Sequence, residues 1–198
     1  MALTRINNNS LSSVTAAAIP KGAGEIVQVI TAINNNSYSL GDSGDTWNNV
    51  LFNDVQLIAK TNNPKIQIDS VVHCGTKVGE NNAYSVFRWE YKVGSGGTYA
   101  HFNPWNNADN GVECDFFFGG SSVGGDSLTS GQYRTIPLSC SRVGIISCSA
   151  GDTLYFRLMR NGATNDSMTL NRADNIASYS YYGGLLESTA SIMEIAGA

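Results

Sequence analysis

The sequence predicts an all-β chain, an antiparallel β-sandwich of the jelly-roll type, and two observations predict it. Apolar residues recur with a period of two along most of the chain, while the i, i+3, i+4 spacing of helices is nearly absent. Short runs of this kind follow one another at regular intervals, joined by Gly-, Asn- and Ser-rich turns, over about 170 residues.

Each element can be justified in order. Glu25 to Ile33 (EIVQVITAI) alternates around Ile26, Val27, Val29 and Ile30 and is a first strand, followed by a polar, turn-rich stretch from Asn34 to Asn49. Asn53 to Lys60 (NDVQLIAK) and Lys65 to Cys74 (KIQIDSVVHC) flank Thr61-Asn62-Asn63-Pro64. Because an Asn-Pro step favours a turn, the two are predicted to form a hairpin. Ala83 to Val93 (AYSVFRWEYKV) is the strongest strand. Its core face is Ser85, Phe87, Trp89, Tyr91 and Val93, with Tyr84, Val86, Arg88, Glu90 and Lys92 opposite.

Gly94-Ser95-Gly96-Gly97 ends that strand as a flexible turn. A long loop, Thr98 to Asn110, precedes a strand at Gly111 to Phe118, and Gly and Ser dominate 119–131. Strands resume at Tyr133 to Ser149 and at Asp152 to Arg160, where Leu154, Phe156 and Leu158 face away from Tyr155, Arg157 and Met159. Ser188 to Ile195 (STASIMEI) alternates again and closes the sheet. No repeat or linker divides the chain, so residues 22–198 read as one domain. Residues 1–21 read as an arm that lacks the periodicity to fold alone and needs a partner to order it, with Leu3, Arg5, Ile6, Leu11, Val14 and Ile19 as its contact residues.

Composition narrows the function classes. Of 198 residues, 42% are apolar and 14% charged, and the net charge is −4. Ordinary domains carry about a quarter charged residues, so this surface is mostly hydroxyl and amide. Disorder needs low hydrophobicity with high net charge, and a nucleic-acid binder needs a basic face, so neither is predicted. No apolar run approaches the roughly 20 residues that span a bilayer, so no membrane insertion is expected. The start, MALTRINNNSLSS, has no apolar core of a signal peptide and is expected to stay on the mature protein. Cys74, Cys114, Cys140 and Cys148 form no C-x-x-C pair and read as reduced, partly buried thiols, Cys140 and Cys148 alone being near enough in sequence for a local bridge.

Candidate chemistry is sparse. His73 and Cys74 are adjacent on a strand and point to opposite faces, so they cannot share a metal, and neither metal nor cofactor is expected. His101 reads as an exposed loop imidazole. Glu90 and Glu113 are carboxylates that could in principle form a glycosidase pair, but pairing with Arg88 or Lys92 is the simpler reading, and no enzymatic activity is expected. The loop AHFNPWNNADN sets flat rings beside amides, the combination sugars stack on. Tyr99, His101, Phe102, Trp105, Asn106 and Asn107 are therefore the candidate glycan- or receptor-binding residues; alternatively Phe102 and Trp105 cap one end of the core. Tyr179, Tyr181 and Tyr182 are candidates for a subunit interface.

Several segments resemble the terminal domains of phage tail-fibre-like proteins of marine and cyanobacterial phages. They are MALTRINNNSLSSVTAAAIPKGAGEIVQVI, NPKIQIDSVVHCG, AYSVFRWEYKVG, GDTLYFRLMRNG and YYGGLLESTASIMEIAGA, the last being the most specific. Such proteins look like relatives of the C1q/TNF jelly roll and are usually trimeric. The resemblance implies a virion protein on a three-fold axis, assembled in the host cytoplasm. Fibres of this type often carry the domain after a long shaft, whereas about 20 residues precede it here.

The expectation is thus a trimeric, tail-fibre-like surface component for host attachment, held to another virion protein by its arm, with a host glycan as a further partner. Capsid decoration (cement) is the second reading, and a free carbohydrate-binding lectin a third, of another class. Trimerisation has its own physical motive. Tyr84 with Phe87 and Trp89, and Tyr155 with Phe156, put aromatics on both faces of strands, more than one interior needs. The low charge then predicts a chain more soluble assembled than alone.

Overall fold

A computed structural model describes residues 24–36, 38–40, 46–77, 83–102, 114–120, 133–162, 168–171 and 186–196. The arm residues Leu3, Arg5, Ile6, Leu11, Val14 and Ile19, the loop residues Trp105, Asn106 and Asn107, and Glu113, Tyr179, Tyr181 and Tyr182 lie outside the described residues.

Eleven strands and no helix make up the described residues: β1 Ile26–Asn34, β2 Tyr38–Leu40, β3 Asn48–Ile58, β4 Lys65–Lys77, β5 Ala83–Val93, β6 Ala100–His101, β7 Phe116–Gly120, β8 Tyr133–Ile145, β9 Thr153–Gly162, β10 Met168–Leu170 and β11 Ser188–Ile195. They form two antiparallel sheets. In the first, β11 lies between β1 and β4, β8 covers the other side of β4, and β10 with β2 extends the row beyond the end of β11. In the second, β9 lies between β3 and β5, and β7 and β6 share the far side of β5.

The eight principal strands pair in nested fashion: β1 with β11, β3 with β9, β4 with β8, and β5 with β7. First meets last, and each inner pair follows. That is a long antiparallel ribbon rolled into a sandwich, the jelly roll the alternation predicted.

Between the sheets lie Ile66, Ile68 and Val72 of β4 with Ala190 and Ile192 of β11, facing Phe87 and Trp89 of β5 and Leu154, Phe156 and Leu158 of β9. The inward set of β5 is the one the period of two assigns, and Leu154, Phe156 and Leu158 share one face of β9 as alternation requires. Trp89 buries its ring against Phe52, centroids 5.6 Å apart, and donates from Nε1 across the core to Ser70 Oγ at 3.3 Å. That bond satisfies an indole N–H that burial would otherwise leave without a partner.

The structure corrects several expectations. The predicted hairpin does not form: β3 pairs with β9 and β4 with β8, so Thr61–Pro64 carries the chain from one sheet to the other. The turn itself is present, with Asn63 in the left-handed region that Asn tolerates (φ 48°). β3 begins at Asn48, within the stretch read as turn. A wide bulge hid it: Val50 opposes Leu158 and Val55 opposes Phe156, so Leu51 to Asp54 leave the ladder, with Leu51 and Asp54 at positive φ. β7 starts at Phe116, with Cys114 and Asp115 outside it and 111–113 outside the described residues; β8 stops at Ile145, and β11 is interior to its sheet. Pro137 is tolerated within β8 because that strand pairs through its ladder with β4 alone among the described residues.

All four cysteines are free thiols, Cys74 and Cys140 buried, Cys114 and Cys148 half-buried. The local bridge does not form: Cys140 opposes Ser70 in the β4–β8 ladder, whereas Cys148 lies at the sheet corner, its carbonyl accepting from Asn63 N at 2.9 Å.

Candidate functional site

The two outer faces of the sandwich differ sharply in chemistry. On the first sheet, the registers put residues in rows running β1–β11–β4–β8. These are Ile26, Ile195, Lys65 and Ile145; Val29, Met193, Gln67 and Val143; Thr31, Ser191, Asp69 and Ser141; and Ile33, Thr189, Val71 and Ser139. Six large apolar side chains are exposed among the described residues, and five of them lie here: Ile26, Val29, Ile33, Val143 and Ile145. Ile145 is 74% exposed and Ile33 60%. Ser139, Ser141, Thr189 and Ser191 surround Asp69 in a shallow open groove at the centre, where Ser141 Oγ donates to the carboxylate at 2.5 Å.

The outer face of the second sheet is built from cations and rings. Glu90, on β5, is buried and accepts from two guanidiniums, Arg88 through Nε and Nη2 on one oxygen and Arg157 through Nε and Nη2 on the other. The guanidinium of Arg88 lies 3.9 Å from the centroid of Trp47 and that of Arg157 3.7 Å from that of Tyr99. Lys92 Nζ stands 4.6 Å from the Tyr99 ring and 4.9 Å from Tyr155. Asp54, turned outward by the β3 bulge, accepts from Tyr99 Oη and lies 4.0 Å from Lys92 Nζ. Burial and the bond to Asp54 push the Tyr99 phenol above its ordinary value, so it stays neutral.

Of the predicted binding residues, the structure separates the three it describes. Tyr99 belongs to this lattice. Phe102 is 1% exposed, edge-on to Tyr91 and Phe156, and its backbone N–H donates to Trp89 O at 2.7 Å. It caps the core and offers no face to a ligand, which corrects its assignment as a binding residue. His101 is not an exposed imidazole either: its Nε2 lies 3.3 Å from the buried carboxylate of Asp115, which also pairs with Arg142 Nε at 2.9 Å and accepts from Trp89 N. Asp115 thus ties β5 and β6 of one sheet to β8 of the other.

Glu90 is ion-paired, as the simpler reading had it, but with Arg88 and Arg157 rather than with Lys92. His73 and Cys74 point to opposite faces, and no cluster of three metal-ligating side chains occurs among the described residues. Sequence reasoning passed over Trp47, Tyr155 and Arg157 as members of this lattice. Their signal was present in part: alternation put Tyr155 and Arg157 together on the face opposite Leu154, Phe156 and Leu158, and which face is outward, with the register against Arg88, Glu90 and Lys92, was missing.

No family model and no curated protein matches the chain. Among solved structures it is similar to Eiger TNF from S. frugiperda, at 12% identity over 86% of this chain and 94% of that one, TM-score 0.32. It is also similar to the Gt strain structure of infectious bursal disease virus, at 10% identity over 100% of this chain and 43% of that one, TM-score 0.37. The VP2 subviral particle of the same virus matches at 14% identity over 86% and 38%, TM-score 0.33. The chain spans less than half the length of these viral chains. The jelly-roll assignment rests on the nested strand pairing itself.

Proposed function

We propose that the chain is a non-enzymatic structural protein of a virion, a homotrimer of the tail-fibre-like kind that presents a jelly roll outward for host attachment. The observation that carries this reading is the apolar outer face of β1, β11, β4 and β8. A monomer rarely exposes so many large aliphatic side chains on one continuous sheet, and copies packed through that face remove them from water. The surplus of apolar groups that the sequence suggested is thus aliphatic and on the first sheet, rather than aromatic. The opposite face, charged and ringed, is left to solvent and to whatever the particle meets. The resemblance of the terminal segments to phage tail-fibre-like domains supplies the virion setting. Capsid decoration through the same self-associated unit is the second reading.

Sedimentation equilibrium of the purified chain and low-resolution imaging of labelled particles test it. A trimer at micromolar concentration, with label on the tail, is the expected outcome. A monomer refutes the assembly, and label on the head replaces attachment by decoration.

A further inference from the structure

The lattice on the second sheet has an arrangement that packing alone does not require. We infer that Trp47, Arg88, Lys92, Tyr99, Tyr155 and Arg157 form a binding surface for an acidic saccharide, one whose sugars carry carboxylate or sulfate groups. This deepens the attachment reading above and rests on it.

Three features argue for such a ligand. First, the cations are held in place and have donors left over. Glu90 engages Nε and Nη2 of both guanidiniums, so Nη1 of Arg88 and of Arg157 has no acceptor among the described residues. The two side chains are 23% and 26% exposed. A guanidinium fixed by a buried carboxylate loses little freedom on taking a second anion, so binding does not have to supply that ordering. Second, the charge is of the right sign and size. Arg88, Lys92 and Arg157 stand against Glu90 and Asp54, leaving one positive charge on a face of a chain whose net charge is −4. Third, half-exposed rings of Trp47, Tyr99 and Tyr155 alternate with these cations at 3.7 to 4.9 Å. Sugars present apolar C–H faces and hydroxyls together, and rings interleaved with fixed donors match both.

The same numbers disfavour nucleic acid. Polyphosphate binding needs several uncompensated cations, and two carboxylates sit inside this patch. A saccharide, whose charges are spaced by whole sugar rings, tolerates them.

The test is calorimetric titration of the full chain with four probes: oligogalacturonate for carboxylate, sulfated dextran oligomer for sulfate, uncharged dextran of equal length, and a DNA duplex. One or both acidic saccharides should bind saturably, more weakly as salt rises, and their ranking identifies the acidic group. Lys92→Gln and Tyr155→Ala should each lower that affinity about tenfold while the strand content by circular dichroism is kept, since neither touches the Glu90 bridge. Arg157→Lys, which keeps the charge and loses the fork, should weaken binding as well. Absence of saturable binding to both acidic oligomers, equal binding of uncharged dextran, tighter binding of DNA, or unchanged affinity in Lys92→Gln and Tyr155→Ala would overturn the inference. Sedimentation separates this from the structural reading. A trimer that ignores the saccharides sinks the inference alone, and a monomer that binds them sinks the assembly alone.

Discussion

Glu194 shows what a single residue contributes that its own strand does not reveal. It lies in the terminal IMEI run, and alternation along that run says only that it faces away from Met193 and Ile195. In the structure it is fully buried, with no ion pair among the described residues. Its carboxylate accepts from Gln28 Nε2, from the backbone N–H of Lys60 and Thr61, and from Thr61 Oγ1 at 2.8 Å. The four donors come from β1 and from the corner between the sheets, and all of them are more than 130 residues distant in sequence. Glu194→Gln leaves one oxygen where two accept, and turns an amide N–H₂ toward the backbone N–H groups of Lys60 and Thr61, which can only donate; it should cost about 2 to 4 kcal/mol in urea denaturation while the strand content by circular dichroism is kept. Thiols give a second residue-scale expectation. Burial, with Asp115 nearby, pushes Cys140 up to about 11 from an ordinary 9.0, and burial pushes Cys74 higher still. Above pH 9 the unfolded chain releases these protons and the folded chain keeps them, so the unfolded state binds fewer protons and stability falls as pH rises. The urea midpoint should therefore drop from about pH 9 to about pH 11, and less so in Cys74→Ala and Cys140→Ala.

Among elements, legibility followed how far the period of two decides the outcome by itself. β5, β9 and β11 alternate without interruption; the inward face of β5, with Phe87 and Trp89, was readable from the sequence, and alternation grouped Leu154, Phe156 and Leu158 on one face of β9. β3 was half legible because its bulge breaks the alternation, and its partner was misread because a turn signal such as Asn63-Pro64 marks a reversal without saying which sheet the chain enters next. Register across strands is also why the cation and ring lattice escaped notice: Glu90 opposite Arg157 and Lys92 opposite Tyr155 are facts about pairing, not about either strand. The bulge has a structural purpose that can be measured. It places Phe52 on Trp89 at an interplanar angle of 23° and puts Asp54 against Tyr99. Phe52→Ala should cost about 3 to 5 kcal/mol, and exposure of Trp89 should red-shift its emission in the still-folded protein. An unshifted spectrum with a smaller loss would show that the bulge positions Asp54 alone.

For the whole molecule, the low charge and the two unlike faces are one property. A chain with 14% charged residues has few with which to cover a sheet, and the first sheet's outer face uses Lys65 and Asp69 where the second uses Arg88, Glu90, Lys92 and Arg157. If copies pack through the first face, each trimer buries Ile145 and Ile33 three times, and every such side chain removed from water contributes about 1.5 to 3 kcal/mol. Folding and association are then linked, so the thermal midpoint of the natural chain should rise with protein concentration. Ile145→Asp puts a charge in that contact at a position already 74% exposed in the single chain, so the fold has no reason to suffer. It should sediment as a monomer, melt at a temperature independent of concentration and below that of the assembled protein, and stay more soluble than the natural chain at low salt. The matched change Ile58→Asp, at an exposed large apolar residue on the second sheet, should leave the trimer intact. If Ile58→Asp dissociates the protein and Ile145→Asp does not, the assembly uses the other face, and the surface assigned to saccharide would be the one buried between copies.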